Sequence, residues 1–288
     1  MRLVAFDAGG TAKLGVVQGS DVVDVAVLGA ELPKDVLSFV QGGAAAQQAL
    51  AQALGQSAHV ARTPLAQLRL LPPIPRPGKI ICLGLNYMDH AAEGGHSRPD
   101  YPSIFFRCAT SLLAHEDTIV RPKCSDKLDF EAELVAVVGR TARHVSKADA
   151  HQYIAGYACF NDASIRDYQH RTAQWSIGKN FDKTGAFGPC FVTADELPPG
   201  GSGLAIQSRL NGVVMQSANT RDMLFPVDET VALLTECLTL EPGDLLVMGT
   251  PGGVGHTRKP PVFMKSGDVI EIEIESVGLL RNQVVDES

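Results

Sequence analysis

Three acidic residues open an otherwise apolar run, Leu128-Asp129-Phe130-Glu131-Ala132-Glu133-Leu134-Val135-Ala136-Val137-Val138-Gly139. The apolar and β-branched residues that lead to the glycine predict a β-strand. Because side chains alternate across a strand, Glu131 and Glu133 are expected to share one face. Two like charges at this spacing repel each other unless a cation or a proton separates them. The run is therefore either an exposed acidic strand start or part of a cation site.

The composition is that of an ordinary globular protein, with 288 residues, 45% of them hydrophobic and 20% charged. The net charge is −7 and no long basic run is present, so binding to nucleic acid or to an anionic membrane has no support. No stretch approaches the roughly 18 apolar residues of a membrane span, and the first residues lack the apolar core of a signal peptide. The sequence predicts a cytoplasmic protein without a nucleic-acid or membrane partner.

Six cysteines are scattered along the chain, and none of them forms a CxxC pair. This spacing argues against a zinc site and against a disulfide scaffold. Reduced thiols in the cytoplasm are therefore expected.

The chain is predicted to contain a small accessory domain, a linker and a catalytic domain. Residues 1–70 show short strand patterns followed by helical stretches, in the manner of a small α/β domain. Residues 71–78 contain four prolines, which exclude a helix interior and favour a stiff connector. Residues 79–288 carry the other motifs and form the predicted catalytic domain. Within it, Ser146–Gly156 is expected to be a helix that leads from the acidic strand to its neighbour.

A candidate base follows a short apolar strand at Lys79–Gly84. His90 and Glu93 are three positions apart, so on a helix both side chains share one face. A carboxylate close to an imidazole holds its tautomer and raises its basicity, which a water-activating base requires. The Gly- and Pro-rich residues 94–102 indicate a segment that orders over a ligand. The alternative is an incidental pair on a surface helix.

A third carboxylate belongs to Asp162, which ends a short strand about thirty residues after Glu133. A helix crossover of that length would return Asp162 to a strand beside the two glutamates. Three carboxylate oxygens suit Mg²⁺, Mn²⁺ or Ca²⁺ far better than zinc. The three acids together thus indicate a site for a hard divalent cation.

Several residues that could bind an anionic substrate follow Asp162 in the sequence. Arg166 and Gln169 would share one face of a helical turn, where a guanidinium and an amide suit recognition of a carboxylate. Lys179 lies in a glycine-rich segment and is a candidate partner for an anion or an enolate. Thr250 lies in the loop 249–255, whose backbone N–H groups can approach an anion.

These residues occur in an ordered set of motifs that resembles the fumarylacetoacetate hydrolase family. The motifs are Asn86-Tyr87-x-x-His90-x-x-Glu93, Asp129-Phe130-Glu131-Ala132-Glu133-Leu134, Asn161-Asp162-x-Ser164-x-Arg166-Asp167-x-Gln169, Gly178-Lys179-Asn180-Phe181-Asp182 and Thr250-Pro251-Gly252-Gly253-Val254-Gly255. The resemblance covers about residues 78–285. It implies an α+β fold, a mixed β-sandwich roll with a small N-terminal accessory domain, usually assembled as a homodimer.

The resemblance also implies a role for each motif residue and a cofactor, Mg²⁺ or Mn²⁺, with Ca²⁺ as a substitute. The implied metal ligands are Glu131, Glu133 and Asp162; the implied catalytic residues are His90, Glu93 and Lys179; and the implied substrate-binding residues are Arg166, Gln169 and Thr250. Family members act on 2-oxo acids or their enols. A small 2-oxo acid is therefore the expected substrate.

The sequence departs from the family pattern in two places. Phe106-Arg107-Cys108 stands where many relatives read Phe-Lys-Pro, which leaves the pocket edge and the substrate length open. Asn86 stands where the longer eukaryotic fumarylacetoacetases carry a further ligand aspartate, which favours the bacterial three-carboxylate subgroup. Asp129 is interpreted as a residue behind the ligands or at the surface.

The predicted reaction is hydrolysis of a C–C bond in an acylpyruvate, a fumarylpyruvate-like 2,4-dioxo acid, in aromatic catabolism. Water activated by His90, with Glu93 orienting the ring, would attack the distal carbonyl, and Lys179 would stabilise the enolate of pyruvate. One alternative is an oxaloacetate-type decarboxylase or a 2-hydroxyhepta-2,4-diene-1,7-dioate isomerase of the same family. The alternative of another class is a non-catalytic scaffold stabilised by a metal.

Overall fold

Strands dominate the computed structural model, which describes residues 1–93, 97 and 99–288. In these residues the strands are β1 (Arg2–Asp7), β2 (Ala12–Gln18), β3 (Asp21–Asp24), β4 (Thr63–Pro64), β5 (Leu70–Leu71), β6 (Ile80–Gly84), β7 (Ser103–Arg107), β8 (Leu112–Leu113), β9 (Ile119–Arg121), β10 (Leu128–Asp129), β11 (Ala132–Val138), β12 (Ile154–Asp162), β13 (Ser164–Ile165), β14 (Gly185–Thr193), β15 (Ala205–Leu210), β16 (Val213–Asn219), β17 (Leu245–Val247), β18 (Val269–Ile274) and β19 (Gly278–Asp286). The α-helices are α1 (Val36–Gly55), α2 (Met88–Glu93), α3 (Arg166–Gln169), α4 (Ser176–Lys179) and α5 (Val227–Cys237).

Two large sheets form the body of the molecule. The larger one is mixed and has the strand order β4-β3-β2-β1-β14-β12-β11-β17-β6-β7, with β5 paired to β1 and β8 paired to β14. The smaller one has the order β16-β15-β18-β19-β9, and β10 pairs with β13 separately. Few helices accompany the sheets. The predicted α+β fold with a mixed β-sandwich roll is confirmed.

Strand β11 is buried on both faces, which explains its continuous apolar sequence. Leu134 and Ala136 pack into the core that β15, β18 and β19 complete. Val135 and Val137 point the other way, into the core that α1 covers. A strand enclosed in this way carries its acidic residues into the protein interior. The alternative of an exposed acidic strand start is therefore excluded.

Strands β11 and β12 are antiparallel neighbours, with Ala132 opposite Asn161. The predicted helix at Ser146–Gly156 was wrong, because only a short 3₁₀ turn at Ala150–Tyr153 precedes β12. The hydroxyl of Ser146 donates to Asp149 in a local turn, which competes with helix formation. Pairing of β12 with both β11 and β14 then takes the chain into the sheet. Asp162 thus reaches the glutamates through an antiparallel strand.

The N-terminal region extends the large sheet, since β1 pairs with β14 through Leu3 and Phe191. Two helical stretches were predicted there, and the structure has one helix, α1, that is interrupted at Gly43. The division into residues 1–70, 71–78 and 79–288 stays a prediction.

Two other predictions concern residues 94–102 and the possibility of a membrane span. The segment expected to order over a ligand, residues 94–102, lies partly outside the described residues, which omit 94–96 and 98. Across the residues that the structure does describe, no helix is both long enough and apolar enough to cross a membrane.

Candidate active site

Three buried carboxylates meet beside the paired ends of β11 and β12. One oxygen atom from each of Glu131, Glu133 and Asp162 lies within 4.8 Å of the other two. The backbone N–H of Asp162 donates to the carbonyl of Glu131 at 3.0 Å, which holds the two chain segments side by side. All three side chains are nearly inaccessible to solvent. The structure thus brings together the three acids that the sequence singled out as metal ligands.

Three cations surround this cluster. The ammonium of Lys179 lies 2.7 Å from Glu131 Oε2 and 2.7 Å from Asp162 Oδ2. Arg166 Nη1 lies 2.6 Å from Glu131 Oε1, and Arg107 Nη1 donates to Asp162 Oδ1. Burial alone would lower the pKa of Lys179, but the charges of Asp162 and Glu131 raise it. The lysine is therefore charged at neutral pH.

Glu133 differs from its two neighbours because no ion pair to it is present among the described residues. Burial raises its pKa well above the ordinary value, and the charges of Asp162 and Glu131 raise it further. At Glu131, burial also acts to raise the pKa, but the charges of Lys179 and Arg166 outweigh it and lower the pKa. Glu133 is thus the carboxyl group of the three whose ionised form is least stabilised in the metal-free site.

These donors fit a hard divalent cation. All three offer carboxylate oxygens, which Mg²⁺ and Mn²⁺ prefer. This cluster of three side chains contains no thiolate or imidazole, the usual ligands of zinc. A divalent charge would offset the repulsion that raises the pKa of Glu133. Glu131, Glu133 and Asp162 are accordingly the residues that would hold the ion.

Asp129 lies directly behind the cluster and is completely buried. Its carboxylate accepts hydrogen bonds from Arg166 Nε at 2.8 Å, from the backbone N–H of Gly255 at 2.8 Å and from the backbone N–H of His256 at 3.0 Å. Burial would raise its pKa, but the charge of Arg166 and the bonds from His256 lower it. Arg166 also contacts Glu131. Asp129 therefore holds in place the guanidinium that orients the carboxylate of Glu131, a candidate metal ligand.

The loop 249–255 binds carboxylates of the protein itself. The N–H of Gly249 donates to Glu133, the N–H of Gly253 to Glu93 at 2.9 Å, and the N–H of Gly255 to Asp129. The sequence predicted that these groups approach an anion, and in the structure the anions are side chains of the site. Gly253 has φ +99°, and a Cβ there would lie 2.3 Å from the carbonyl oxygen of Met215. Only glycine fits this conformation.

Replacing Gly255 by alanine is expected to destabilise the protein by about 1–3 kcal/mol through overpacking. A Cβ at this position would lie 2.0 Å from the carbonyl oxygen of Val262 and 2.5 Å from Asp129 Oδ1. The loop must shift, and Asp129 then loses a donor. Urea unfolding of the metal-free protein measures the loss. Gly55→Ala is the matched control, because no heavy atom lies within 4 Å of its Cβ position; equal stability of the two variants would contradict the expectation.

His90 and Glu93 both lie on α2, but no hydrogen bond joins them in the described part of the chain. The carboxylate of Glu93 accepts from the N–H of Gly253 and from the hydroxyl of Thr257. His90 lines the pocket beside the carboxylates, and its Nδ1 is buried without a partner in the described residues. Burial lowers the pKa of His90 to about 4, so the ring is neutral at pH 7. The proposed pairing of the two side chains stays a prediction.

The predicted substrate-binding residues are held by one another and by one residue that the sequence did not single out. Gln169 accepts a hydrogen bond from Arg166 at 2.8 Å, as the predicted helical turn requires. The hydroxyl of Thr250 accepts from Gln216 at 2.7 Å, and Gln216 also accepts from the N–H of Ala132 at 3.0 Å. No local pattern distinguishes Gln216, which is one of the polar residues in β16.

These groups line a pocket of about 110 Å³. Its polar wall is formed by Glu131, Glu133, Arg166, Gln169, Lys179 and Thr250 together with the imidazoles of His90, His170 and His256. Leu83, Phe105 and Trp175 form the apolar wall. Pockets for drug-sized ligands usually span roughly 300–1,000 Å³, so this one suits a smaller molecule.

Arg107 resolves one departure that the sequence left open. Its side chain is buried and binds Asp162, the hydroxyl of Ser111 and the hydroxyl of Thr184. It therefore supports a metal-ligand candidate from behind and does not form the edge of the pocket. The departure Arg107-Cys108 from the family pattern had already drawn attention to Arg107. No local sequence pattern identified His170 or His256 as residues of the pocket.

A mixed-sheet α+β fold with three buried carboxylates beside its central strands defines a class of enzymes built around an oxygen-ligand cation site. Residues 79–285 match the family described as Fumarylacetoacetate (FAA) hydrolase C-terminal. The chain belongs to the fumarylacetoacetate hydrolase family, as its motifs predicted.

Relatives in this family have several activities. The mitochondrial oxaloacetate tautomerases of Rattus norvegicus and Homo sapiens are 39% and 38% identical to the chain, covering 99% of it and 92% of each relative. The maleylpyruvate hydrolase of Sphingobium sp. SYK-6, solved with manganese(II) ion and pyruvate, has a TM-score of 0.83 and 31% identity, with 100% of both chains covered. The 2-hydroxyhepta-2,4-diene-1,7-dioate isomerase of Mycobacterium marinum has a TM-score of 0.76 and 30% identity, covering 100% of this chain and 99% of that one.

Proposed function

We propose that the protein catalyses keto–enol tautomerisation of a small 2-oxo dicarboxylate such as oxaloacetate, at a Mg²⁺ or Mn²⁺ site. The observation that carries this proposal is 39% identity, across 99% of the chain, to an oxaloacetate tautomerase. The pocket of about 110 Å³ agrees with a substrate of this size. The proposal moves the emphasis from C–C hydrolysis to proton transfer within the same substrate class.

Different residues of the site would bind the metal, stabilise the developing charge and bind the substrate. Glu131, Glu133 and Asp162 would hold the ion, which when bound supplies Lewis-acid polarisation of a 2-oxo acid. Lys179 is charged and buried at the cluster, where it stabilises negative charge that develops on the 2-oxo oxygen. Arg166 offers a guanidinium to a substrate carboxylate.

Hydrolysis of an acylpyruvate is the second candidate. It is favoured by the likeness to a maleylpyruvate hydrolase that was solved with manganese(II) ion and pyruvate. It needs a base for water, and His90 with Glu93 is the pair that the sequence indicated. The hydrogen bonds from Gly253 to Glu93 hold this carboxylate away from such a role in the described arrangement.

Product analysis separates the two candidates. The purified protein with Mg²⁺ or Mn²⁺ is expected to accelerate the decay of the enol form of oxaloacetate, observed by ultraviolet absorbance, with no change in total oxaloacetate. Removal of the metal with a chelator is expected to reduce the rate to that of buffer. Glu236→Gln, at an exposed position, serves as the protein control. Release of pyruvate and an acid from acylpyruvates, without tautomerase activity, would overturn the proposal in favour of hydrolysis.

A further inference from the structure

A carboxylate–imidazole pair at the pocket is formed by two residues that the family motifs did not assign to catalysis. His256 Nδ1 lies 3.1 Å from Asp129 Oδ2, and the backbone N–H of His256 donates to the same oxygen at 3.0 Å. His256 follows Gly255 at the end of the glycine-rich loop and lines the pocket that contains Glu131, Glu133 and Lys179. Its side chain is 26% exposed, while Asp129 is completely buried.

The hydrogen bonds of Asp129 determine the tautomer of this ring. Asp129 also accepts from Arg166 Nε and from the N–H of Gly255, so it acts as an ionised acceptor. An ionised carboxylate cannot donate, and Nδ1 of His256 must therefore carry the proton in this bond. In the neutral form of the ring, the second nitrogen, Nε2, is then unprotonated. A neutral imidazole in this form can take a proton at Nε2 while the carboxylate stabilises the imidazolium that results.

The other two imidazoles of the pocket lack such a partner in the described part of the chain. Nδ1 of His90 is buried without a hydrogen bond. The ring of His170 lies with its centroid 5.9 Å from that of His256, and burial together with the charge of Arg166 lowers its pKa. His256 is thus the pocket imidazole that is oriented by a carboxylate.

We propose that His256 is a proton-transfer residue of this site and that Asp129 is its positioning residue. In the keto-to-enol direction, the proton on C3 of the 2-oxo acid moves to Nε2. The C3–H electron pair becomes the C2=C3 bond, and the carbonyl π pair moves to the 2-oxo oxygen, which then takes a proton from solvent. The imidazolium returns its proton to solvent, so no oxidant or further reactant is required. The inference rests on the proposed function in that the substrate has a hydrogen on C3.

The test replaces His256 by glutamine, which retains polarity but cannot shuttle a proton. Loss of a general acid–base group costs about 10²–10⁴-fold in rate, and the same loss is expected in enol-oxaloacetate turnover. Mn²⁺ affinity, measured by calorimetry, is expected to fall far less than the rate, because the hydrogen bonds of His256 go to Asp129 and not to the ligand candidates. His170→Gln is the matched variant and is expected to show a much smaller loss in rate. A larger loss in His170→Gln than in His256→Gln would overturn the inference.

Two further measurements distinguish proton transfer from a structural role. Added imidazole is expected to restore part of the rate of His256→Ala, and it cannot repair a misfolded loop. In the metal-free wild-type protein, ¹⁵N NMR is expected to show the Nδ1–H tautomer of His256. An Nε2–H tautomer, or a variant that imidazole does not rescue, would overturn the inference.

Deuterium exchange at C3 of pyruvate separates this inference from the proposed function. Wild-type protein with Mn²⁺ is expected to catalyse the exchange in deuterium oxide, and His256→Gln is expected to lose it. If exchange depends on His256 while oxaloacetate tautomerisation is absent, the inference holds and the proposed function fails. If tautomerisation is present and exchange is equal in both proteins, the inference fails and the function holds. Absence of exchange in the wild type also overturns the inference.

Discussion

Replacing Glu133 by glutamine is expected to weaken the binding of divalent metal strongly while leaving the metal-free protein at least as stable as the wild type. Glu133 is a buried acid beside Glu131 and Asp162, and both burial and their charges raise its pKa. A neutral amide of the same shape removes this repulsion and can still accept from the N–H of Gly249. The metal, however, loses an anionic ligand. Because loss of a supporting residue already costs about 10–100-fold in affinity, a loss of at least about 100-fold is expected here.

Two measurements on the same protein preparation check both parts of this expectation. Titration with Mn²⁺ by calorimetry gives the affinity, and urea unfolding of the chelator-treated protein gives the free energy of unfolding. Glu236→Gln makes the same chemical change at an exposed position and should alter neither quantity. Unchanged Mn²⁺ affinity would contradict the role of Glu133 as a ligand. A fall in metal-free stability of more than about 2 kcal/mol would contradict the account of its charge, since it would mean that the carboxylate makes a bond the amide cannot replace.

Replacing Arg107 by alanine is expected to destabilise the metal-free protein by about 3–5 kcal/mol, the usual cost of removing one partner from a buried ion pair. Both Arg107 and Asp162 have completely buried side chains. The substitution leaves the Asp162 carboxylate with Lys179 as its remaining cation and also removes hydrogen bonds to Ser111 and Thr184. Arg107→Lys retains the charge without the fork of the guanidinium, so a smaller loss is expected.

Unfolding in urea, with and without saturating Mn²⁺, measures this effect. Bound Mn²⁺ would supply the missing positive charge to Asp162, and the difference from wild type is expected to shrink when metal is present. Arg209→Ala is the control, because Arg209 forms partly exposed pairs with Glu271 and Glu273 that are worth about 0–1 kcal/mol. Equal losses for Arg107→Ala and Arg209→Ala would show that burial of the Arg107 pair has no special energetic consequence.

Local pattern predicted many of the strands and marked the three acids that the structure brings together, although Asp162 reaches the glutamates through an antiparallel strand and not through the expected helix crossover. Residues 269–274 alternate apolar and other side chains and form β18, whose burial alternates in the same way. Asn211-Gly212 is a typical two-residue turn, and it joins β15 to β16 with positive φ at both residues. The acidic run predicted a strand, although the structure divides it into β10 and β11 with Phe130 and Glu131 between them.

The errors arose where tertiary pairing outweighs local preference. Strand β14 was not predicted, because its glycines and Pro189 are typical of loops, yet pairing with β12 on one side and β1 on the other holds it in the sheet. The predicted helix at Ser146–Gly156 failed for a similar reason. Sequence could not show that Asp129 meets His256, since 127 positions separate them and no periodicity connects them.

The continuous sheet has a consequence for protein engineering. Strand β1 covers the backbone of β14 at Val192 and Phe191, which are completely buried. Removing the N-terminal region to isolate residues 79–288 would uncover this hydrogen-bonding edge beside apolar side chains. Uncovered edges of this kind template pairing between molecules and lead to aggregation. Strands β1 to β3 therefore protect the edge of the sheet that carries Asp162, and shortened versions of the protein will need a substitute for them.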